Sequence, residues 1–254
     1  MKLPSEYNLA GTVTRGASGK TVRQIQEWLT LNGVQLKIDG SYGPATQAAV
    51  RLFQKKMKLP ETGSVEQSTY NHLIAPIVRV LQPLAKPSPT YSRRVIAIAK
   101  LHLREHPREV GGANAGPWVR LYTGGKEGAA WPWCAGFVTT MLQQALGADQ
   151  TAPIKGSLSC DVLASQAQKV GRFYAGAQVQ ANTDLRRKLG SGCIFLVRNA
   201  KNSKDWTHTG LVTRLYDEYF ETIEGNTNDS GDREGYEVCA RRRGFKNMDF
   251  IDIR

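Results

Sequence analysis

The sequence predicts an α+β protein in which a small helical domain precedes a larger domain with an antiparallel sheet. Apolar residues at helical spacing dominate the first 146 residues, whereas the four strongest strand-like segments all lie beyond residue 190. Helices that precede strands, instead of alternating with them, favour an antiparallel sheet over a parallel one. The chain has 254 residues. One ordinary domain has roughly 100 to 200, so two domains are expected.

A proline-rich segment sets the expected boundary between the two domains. Four of the eleven prolines lie between residues 76 and 89, and this stretch has little periodic pattern of its own. Because proline fixes φ and removes a hydrogen-bond donor, the segment is predicted to be a semi-extended linker. The expected division is a three-helix domain over residues 1–75, a linker over 76–90 and a second domain over 91–254.

Three helices are predicted in the first domain. Residues 20–32 carry apolar side chains at helical spacing, which indicates a first helix. A second helix is predicted to begin at Pro44, because proline suits the first helical position. Ser64 and Gln67 have the spacing of a capping box ahead of a short third helix.

The turn residues and apolar residues of this domain together carry a family resemblance. They are Gly16, Ser18, Gly19, Val22, Ile25, Leu29, Gly33, Asp39, Gly40, Tyr42, Gly43, Thr46, Ala49, Val50, Phe53, Gln54, Leu59, Gly63, Val65, Thr69 and Leu73. In order and spacing, residues 14–75 resemble the three-helix peptidoglycan-binding domain of many cell-wall hydrolases. The resemblance implies a targeting module for peptidoglycan, with any small three-helix bundle as the alternative. Asp39 and Tyr42 are predicted to bind this substrate.

The charge of the chain suits an anionic partner. The 34 Lys and Arg residues outnumber the 22 Asp and Glu residues, which gives a net charge of +12. Such a field favours nucleic acid, anionic lipid or an acidic cell wall. No nucleic-acid partner is expected, because no recognition helix or RNP aromatic residues accompany the arginines at 241–243, which we interpret as a solvated strand end. No apolar run approaches the roughly 18 residues of a membrane span, and no secretory signal is visible.

The second domain is predicted to begin with helices and to end with strands. Helices are expected over residues 92–106 and 135–146, with a glycine-rich loop at 108–116 between them. Strands are expected over residues 192–198, 208–216, 219–224 and 236–243.

The sequence around Cys134 indicates a reactive thiol. The four cysteines of the chain include no CxxC pair, which excludes a zinc ribbon and a thioredoxin-like motif. Cys134 directly precedes a predicted helix, where unsatisfied N–H groups and the helix dipole lower the pKa of a thiol. Trp131 and Trp133 flank it and are predicted to wall a substrate cleft. A nucleophile is therefore indicated, with a buried structural cysteine as the alternative.

A general base and a group that orients it are expected on two neighbouring strands. His208 heads a predicted strand beside Gly210, a more rigid placement than that of the other histidines of this domain. Glu224 and Asn226 end the next strand and are the candidates to orient the imidazole of His208.

The pairing register decides whether these side chains meet. With a two-residue turn at 217–218, even-numbered positions of the first strand would pair with odd-numbered positions of the second, and Glu224 would face away from His208. An odd loop or one bulge, for example at Gly225, would set His208 opposite Asn226, with Glu224 one pair further in. We predict such an irregularity.

Five motifs of the second domain carry another resemblance. They are residues 108–116 (REVGGANAG), 131–138 (WPWCAGFV), 191–197 (SGCIFLV), 208–212 (HTGLV) and 221–228 (ETIEGNTN). They resemble the CHAP branch of the NlpC/P60 cysteine peptidases, which cleave amide bonds of peptidoglycan on a papain-like fold. The resemblance implies Cys134 as nucleophile and His208 as general base, with Glu224 as its orienting group. It implies Asn226 as a candidate helper and no cofactor. The chain departs from the family at Cys193, where aspartate is frequent, and a small buried residue is expected there.

Two metal-binding patterns are weaker alternatives. Residues 102–106 fit the H-x-x-E-H pattern of zinc proteases, but Pro107 follows at once, and an exposed helix end is the simpler interpretation. Residues 226–237 have EF-hand spacing, with amides and a hydroxyl in place of the usual carboxylates and with strands as flanks. A plain connecting loop is expected there, and no metal site is predicted.

Together the motifs predict a two-domain, endolysin-like peptidoglycan hydrolase that cuts an amide bond in or next to the stem peptide. N-acetylmuramoyl-L-alanine amidase and endopeptidase activities both stay open. Two biological origins also stay open: a phage lysin, and a type VI-like secreted antibacterial effector, which would need an immunity protein. A non-catalytic wall-binding protein and a zinc peptidase are the competing classes. We expect a monomer, synthesised in the cytoplasm without a signal peptide, that acts on the cell wall or periplasm after release or secretion.

Overall fold

A computed structural model of the protein describes residues 7–147, 151–202, 204–228 and 235–254. Within these ranges the helices are α1 (Lys20–Leu31), α2 (Pro44–Lys56), α3 (Gln67–Leu73), α4 (Ala75–Leu81), α5 (Tyr91–Arg104), α6 (Pro117–Thr123), α7 (Cys134–Gln144), α8 (Cys160–Lys169), α9 (Gly176–Ala181) and α10 (Thr183–Leu189). None of these helices is both long enough and apolar enough to cross a bilayer.

The strands of the described ranges are β1 (Phe173–Ala175), β2 (Ile194–Arg198), β3 (Trp206–Leu215), β4 (Tyr219–Thr227), β5 (Glu237–Gly244) and β6 (Met248–Ile251). They form one sheet in the order β1-β6-β2-β3-β4-β5, and each neighbouring pair is antiparallel. The predicted α+β class with an antiparallel sheet is confirmed.

The helices predicted for the N-terminal domain are present as α1, α2 and α3. The helix α2 begins at Pro44, as its sequence indicates. The helix α3 begins at Gln67 without a side-chain cap hydrogen bond, so the predicted capping box is wrong. The hydroxyl of Ser64 donates instead to the hydroxyl of Thr14 at 3.1 Å, which ties the approach to α3 to the start of the domain.

The prediction of an extended linker is wrong for the first part of residues 76–90. Residues 75–81 form α4, and Pro76 lies in the first turn of this helix, where a missing N–H breaks no hydrogen bond. The helix buries Ile77 and Val80 and packs against α3 and α5. Within the predicted linker and its flanks, only residues 82–90 lack regular secondary structure. A packed helix therefore occupies much of the segment that was expected to be a spacer.

The N-terminal helices also pack directly against the sheet-containing part of the chain. Trp28 of α1 meets Trp118 of α6 edge to face, with ring centroids 6.1 Å apart. The hydroxyl of Tyr7 donates to a backbone carbonyl of α6 at 2.9 Å. Glu27 of α1 and Arg120 of α6 form an ion pair of 2.7 Å whose side chains are 0% and 5% exposed. One apolar core consequently runs from α1 through α6 to α7 and the sheet.

An irregularity in the pairing of β3 with β4 sets the positions of the site residues. The two strands are joined by a two-residue turn at 217–218. The register then shifts by one residue, and Thr213 is the extra residue of a β-bulge on β3. Continued along both strands, this register sets His208 opposite Asn226. The predicted irregularity is confirmed, although it lies at Thr213 and not at Gly225.

Candidate active site

Cys134 is the first residue of α7, the helix that packs against β3 and β4. The run of apolar and small residues that follows it is buried, which draws the helix into the core and holds its N-terminus beside the sheet. The pKa of the Cys134 thiol lies well below its usual range. The neighbouring Cys160 thiol and the His208 ring both favour the thiolate, and burial opposes them. The contacts at this helix start therefore favour the thiolate form of Cys134.

His208 lies on β3, where its ring is buried between Cys134 and Glu224. Its Nε2 is 2.9 Å from Oε2 of Glu224. Burial by itself would lower the pKa of His208, but its polar interactions with the Cys134 thiolate and the Glu224 carboxylate raise it to about 9. The other ring nitrogen, Nδ1, is buried and has no hydrogen-bond partner within the described residues. The site therefore combines a thiol with a lowered pKa and an imidazole with a raised pKa, and the Nε2 side of that imidazole is bonded to a carboxylate.

Glu224 is fully buried and accepts hydrogen bonds from three side chains. Besides His208, these are the Thr222 hydroxyl at 2.6 Å and the guanidinium of Arg243, whose Nε and Nη2 lie 2.6 Å and 2.5 Å from the two carboxylate oxygens. Burial would raise the pKa of Glu224, but Arg243 and His208 lower it to about 2. The carboxylate is therefore ionised across the physiological range.

Arg243 is a site residue that the sequence did not reveal. The interpretation of residues 241–243 as a solvated strand end holds for Arg242, which is exposed, and is wrong for Arg243. The side chain of Arg243 is 15% exposed and its guanidinium also lies over the ring of Phe195, 5.2 Å from the centroid. Arg243 thus supplies the positive charge that allows Glu224 to stay ionised in the core.

Gly210 permits the close approach of the two strands at this point. The register of β3 and β4 sets Gly210 opposite Glu224. A Cβ atom at Gly210 would lie 2.8 Å from Cγ of Glu224 and 2.7 Å from the ring of Phe195, so any larger residue would displace one of them. The predicted role of Gly210, to leave room beside His208, agrees with this packing.

Both ends of the Asn226 side-chain amide bond to backbone groups, and neither of these bonds reaches His208, so its role as a helper of His208 stays a prediction. Its Oδ1 accepts from the backbone N–H of Trp133 at 2.6 Å, and its Nδ2 donates to the carbonyl of Gly235 at 2.7 Å. Asn226 also adopts a φ of 56°, in the left-handed region that asparagine tolerates better than most residues. Asn226 therefore holds the backbone residue that immediately precedes the nucleophile.

The two tryptophans that flank Cys134 have different environments. Trp133 is fully buried, stacks on Tyr122 with ring centroids 5.3 Å apart, and donates its Nε1–H to Glu109 at 2.8 Å. Its predicted role as a cleft wall is wrong, because no part of the ring faces solvent. Trp131 is half-buried, with Nζ of Lys126 4.0 Å from its ring centroid, so its predicted contact with substrate stays a prediction.

The two residues of the first domain that were predicted to bind substrate, Asp39 and Tyr42, make hydrogen bonds within the domain. Tyr42 is 1% exposed, and its hydroxyl donates to the carbonyl of Gly63 at 3.0 Å, so its predicted contact with substrate is wrong. Asp39 is exposed, and its Oδ1 accepts from Nε2 of Gln26 and from the backbone N–H of Ser41, both at 2.9 Å. These bonds lower the pKa of Asp39 and shape the turn, while leaving the carboxylate at the surface.

The two histidines of the zinc-protease pattern lie in different environments. His102 is buried, and its ring nitrogens lie 2.9 Å from the Tyr122 hydroxyl and 3.0 Å from Oε1 of Gln144. His106 lies beyond the end of α5 at an exposed position. The helix therefore does not present both rings to one metal ion. Part of the EF-hand-like segment, residues 229–234, lies outside the described residues.

Similarity to known proteins is concentrated in the helical N-terminal domain. Residues 18–73 match the family described as "Putative peptidoglycan binding domain". A zinc D-Ala-D-Ala carboxypeptidase of Streptomyces albus G is 41% identical over 70 residues, which are 26% of this chain and 28% of that protein. The chain thus spans little more than a quarter of that relative's length.

Two solved structures are also similar. The SleB N-terminal domain is 38% identical, covering 25% of this chain and 89% of that chain with a TM-score of 0.25. The Burkholderia AP3 phage endolysin is 26% identical, covering 42% of this chain and 41% of that chain with a TM-score of 0.25. The family match over residues 18–73 makes the N-terminal helical unit a domain of the peptidoglycan-binding type, and the site around Cys134 lies outside this match.

Proposed function

We propose that this protein is a cysteine-dependent peptidoglycan hydrolase of the CHAP type, which cleaves an amide bond in or next to the stem peptide. The observation that carries the proposal is the buried cluster of Cys134, His208 and Glu224. It supplies a nucleophile, a proton donor and an orienting carboxylate, the set that acyl transfer requires. The peptidoglycan-binding domain in the same chain supports the wall as the substrate, as do the hydrolases among its relatives.

The reaction follows from the protonation states of the cluster. The Cys134 thiolate attacks the carbonyl carbon of the amide, and the protonated His208 donates its proton to the leaving amine as the C–N bond breaks. Water then hydrolyses the thioester, with His208 as the base. The backbone N–H of Cys134, at the start of α7, is the natural donor to the oxyanion. Glu224, held by Arg243 and Thr222, fixes the ring of His208 throughout.

Digestion of purified sacculi tests this proposal directly. The wild-type protein should release soluble fragments, and mass spectrometry of the products should locate the new amine, which distinguishes an amidase from an endopeptidase. Treatment with EDTA should leave the rate unchanged, whereas alkylation with iodoacetamide should abolish it. Loss of activity with EDTA and resistance to iodoacetamide would contradict the cysteine mechanism and favour a metal-dependent peptidase.

The pKa values of the cluster predict an alkaline limit to activity. Because His208 must be protonated to release the amine, the rate should stay level from neutral pH to about 9 and then fall as the ring loses its proton. Glu224→Gln removes a negative charge beside the ring, so the alkaline limb of the remaining activity should move to lower pH. Rate measurements on a soluble muropeptide between pH 6 and pH 10 check both statements. An unchanged limb in the Glu224→Gln protein would contradict the assigned role of Glu224.

A further inference from the structure

A second thiol lies in contact with the nucleophile. Cys160 is the first residue of α8, and its Sγ is 3.9 Å from Sγ of Cys134. Both residues are nearly buried, at 7% and 6% exposure. The helices α7 and α8 therefore begin side by side, and each of the two cysteines is the first residue of its helix. The hydrolytic reaction described above requires only one of these thiols.

We propose that Cys134 and Cys160 form a reversible disulfide when the protein meets an oxidant such as hydrogen peroxide. A disulfide has an S–S bond of about 2.05 Å, so the two sulfur atoms, now 3.9 Å apart, need to approach by roughly 2 Å. Formation of the bond does not depend on the hydrolytic function. Its consequence, reversible loss of hydrolysis, does rest on the proposed function.

The chemistry balances with peroxide as the oxidant. The Cys134 thiolate attacks one peroxide oxygen, the O–O bond breaks, and hydroxide leaves, which converts Cys134 to a sulfenic acid. The sulfur of Cys160 then attacks the sulfur of Cys134. The S–S bond forms as the S–O bond breaks, and the proton of Cys160 leaves with the hydroxyl group as water. The two sulfurs together lose two electrons, and the peroxide gains them.

Cys160 would thereby protect the nucleophile as well as switch it off. A thiolate without a nearby partner proceeds from sulfenic acid to sulfinic acid, which thiol reductants do not reverse. A disulfide stops this sequence at a state that dithiothreitol restores. Cys193 offers a comparison, because it is also buried but belongs to a different apolar cluster, which also contains Phe195 and Phe220. Burial raises the pKa of Cys193, which disfavours its thiolate, whereas the pKa of Cys134 is lowered.

Peptide mapping of the full chain tests the proposal. The wild-type protein is treated with hydrogen peroxide, alkylated without reduction, digested with trypsin and analysed by mass spectrometry. The expected result is a cross-linked pair of peptides containing Cys134 and Cys160 that disappears after treatment with dithiothreitol. Conversion of Cys134 to sulfinic acid in the wild-type protein, without a cross-link, would overturn the proposal. This measurement requires no variant, so a folding defect cannot obscure it.

Variants add a second, independent readout. In Cys160→Ala, peroxide should oxidise Cys134 to the sulfinic acid, and dithiothreitol should restore little of that variant's own untreated activity. The wild-type protein and Cys193→Ala should both recover most of theirs. Equal recovery in Cys160→Ala would overturn the protective role of Cys160. If the protein instead lacks hydrolytic activity before oxidation, the proposed function fails while the cross-link in the peptide map still decides the disulfide.

Discussion

Replacement of Cys134 by alanine should abolish the release of soluble fragments from sacculi, with a loss of at least about a thousandfold in rate. The reason is that, in the proposed mechanism, each remaining group of the cluster acts through the sulfur: His208 protonates an amine that only the thiolate can displace, and Glu224 orients His208. Folding should be retained, because the change deletes one sulfur atom from the end of a helix whose other contacts stay in place. Turbidity of a sacculus suspension and thermal unfolding measure the two effects.

Two histidine variants serve as matched controls for this result. His208→Ala should reduce the rate to a similar extent, whereas His106→Ala, at an exposed position, should be close to wild type. His102→Ala is not a neutral control, contrary to what its place in the sequence suggests, because its buried ring bonds to Tyr122 and Gln144. Its loss should lower stability. Substantial activity in Cys134→Ala would exclude the cysteine as the nucleophile.

Weakening the contact between the two domains should destabilise the whole chain. Glu27→Gln removes the negative partner of Arg120 from a buried ion pair, and such changes lower the free energy of unfolding by about 3 to 5 kcal/mol. We expect the lower end of that range, because Glu127 also binds Arg120 at 2.7 Å. Urea unfolding followed by circular dichroism measures the effect.

Arg79→Gln is the matched control, since it breaks an ion pair of 2.6 Å with Glu105 in which Arg79 is 58% exposed. An exposed pair of this kind contributes at most about 1 kcal/mol to the free energy of unfolding.

Deletion of residues 1–85 should have a larger effect than Glu27→Gln, because it uncovers Trp118 and Arg120 of α6. Activity on sacculi and on soluble muropeptides should then fall together. A truncated protein that loses only its activity on sacculi would instead indicate two independent domains joined by a tether.

Features that depend on local sequence patterns could be predicted. The apolar spacing that defines α1 and α2 lies within a few turns of each helix, and Pro44 marks the start of α2. The presence of a bulge could be inferred from the sequence. A two-residue turn pairs even-numbered with odd-numbered positions, whereas His208 and Glu224 share a face of the sheet only if even-numbered positions pair with each other. The location of the bulge at Thr213 could not be inferred, because one extra residue anywhere between His208 and Glu224 would have the same effect on the pairing.

Features that depend on contacts between distant segments could not be predicted. Arg243 is separated from Glu224 by a chain segment whose length does not reveal the register of β5. Cys160 reaches Cys134 only because two helix starts converge, and no periodicity encodes that convergence. The same holds for the ion pair of Glu27 with Arg120, whose partners are 93 residues apart in the sequence. Trp133 and Tyr42 have the residue type of a ligand-binding surface, yet the fold uses both in its core.

The bulge at Thr213 also constrains how this hairpin is able to change during evolution. Removal of one residue between His208 and Glu224, anywhere along the hairpin, would turn one catalytic side chain to the opposite face of the sheet. Loss of two residues, one from each strand, would not have this effect, because the alternation of side chains would be preserved. Homologues with the same chemistry should therefore differ in hairpin length by even numbers, unless a second bulge accompanies the change. Under the proposed mechanism, the length of this hairpin is therefore constrained by the relative orientation of His208 and Glu224.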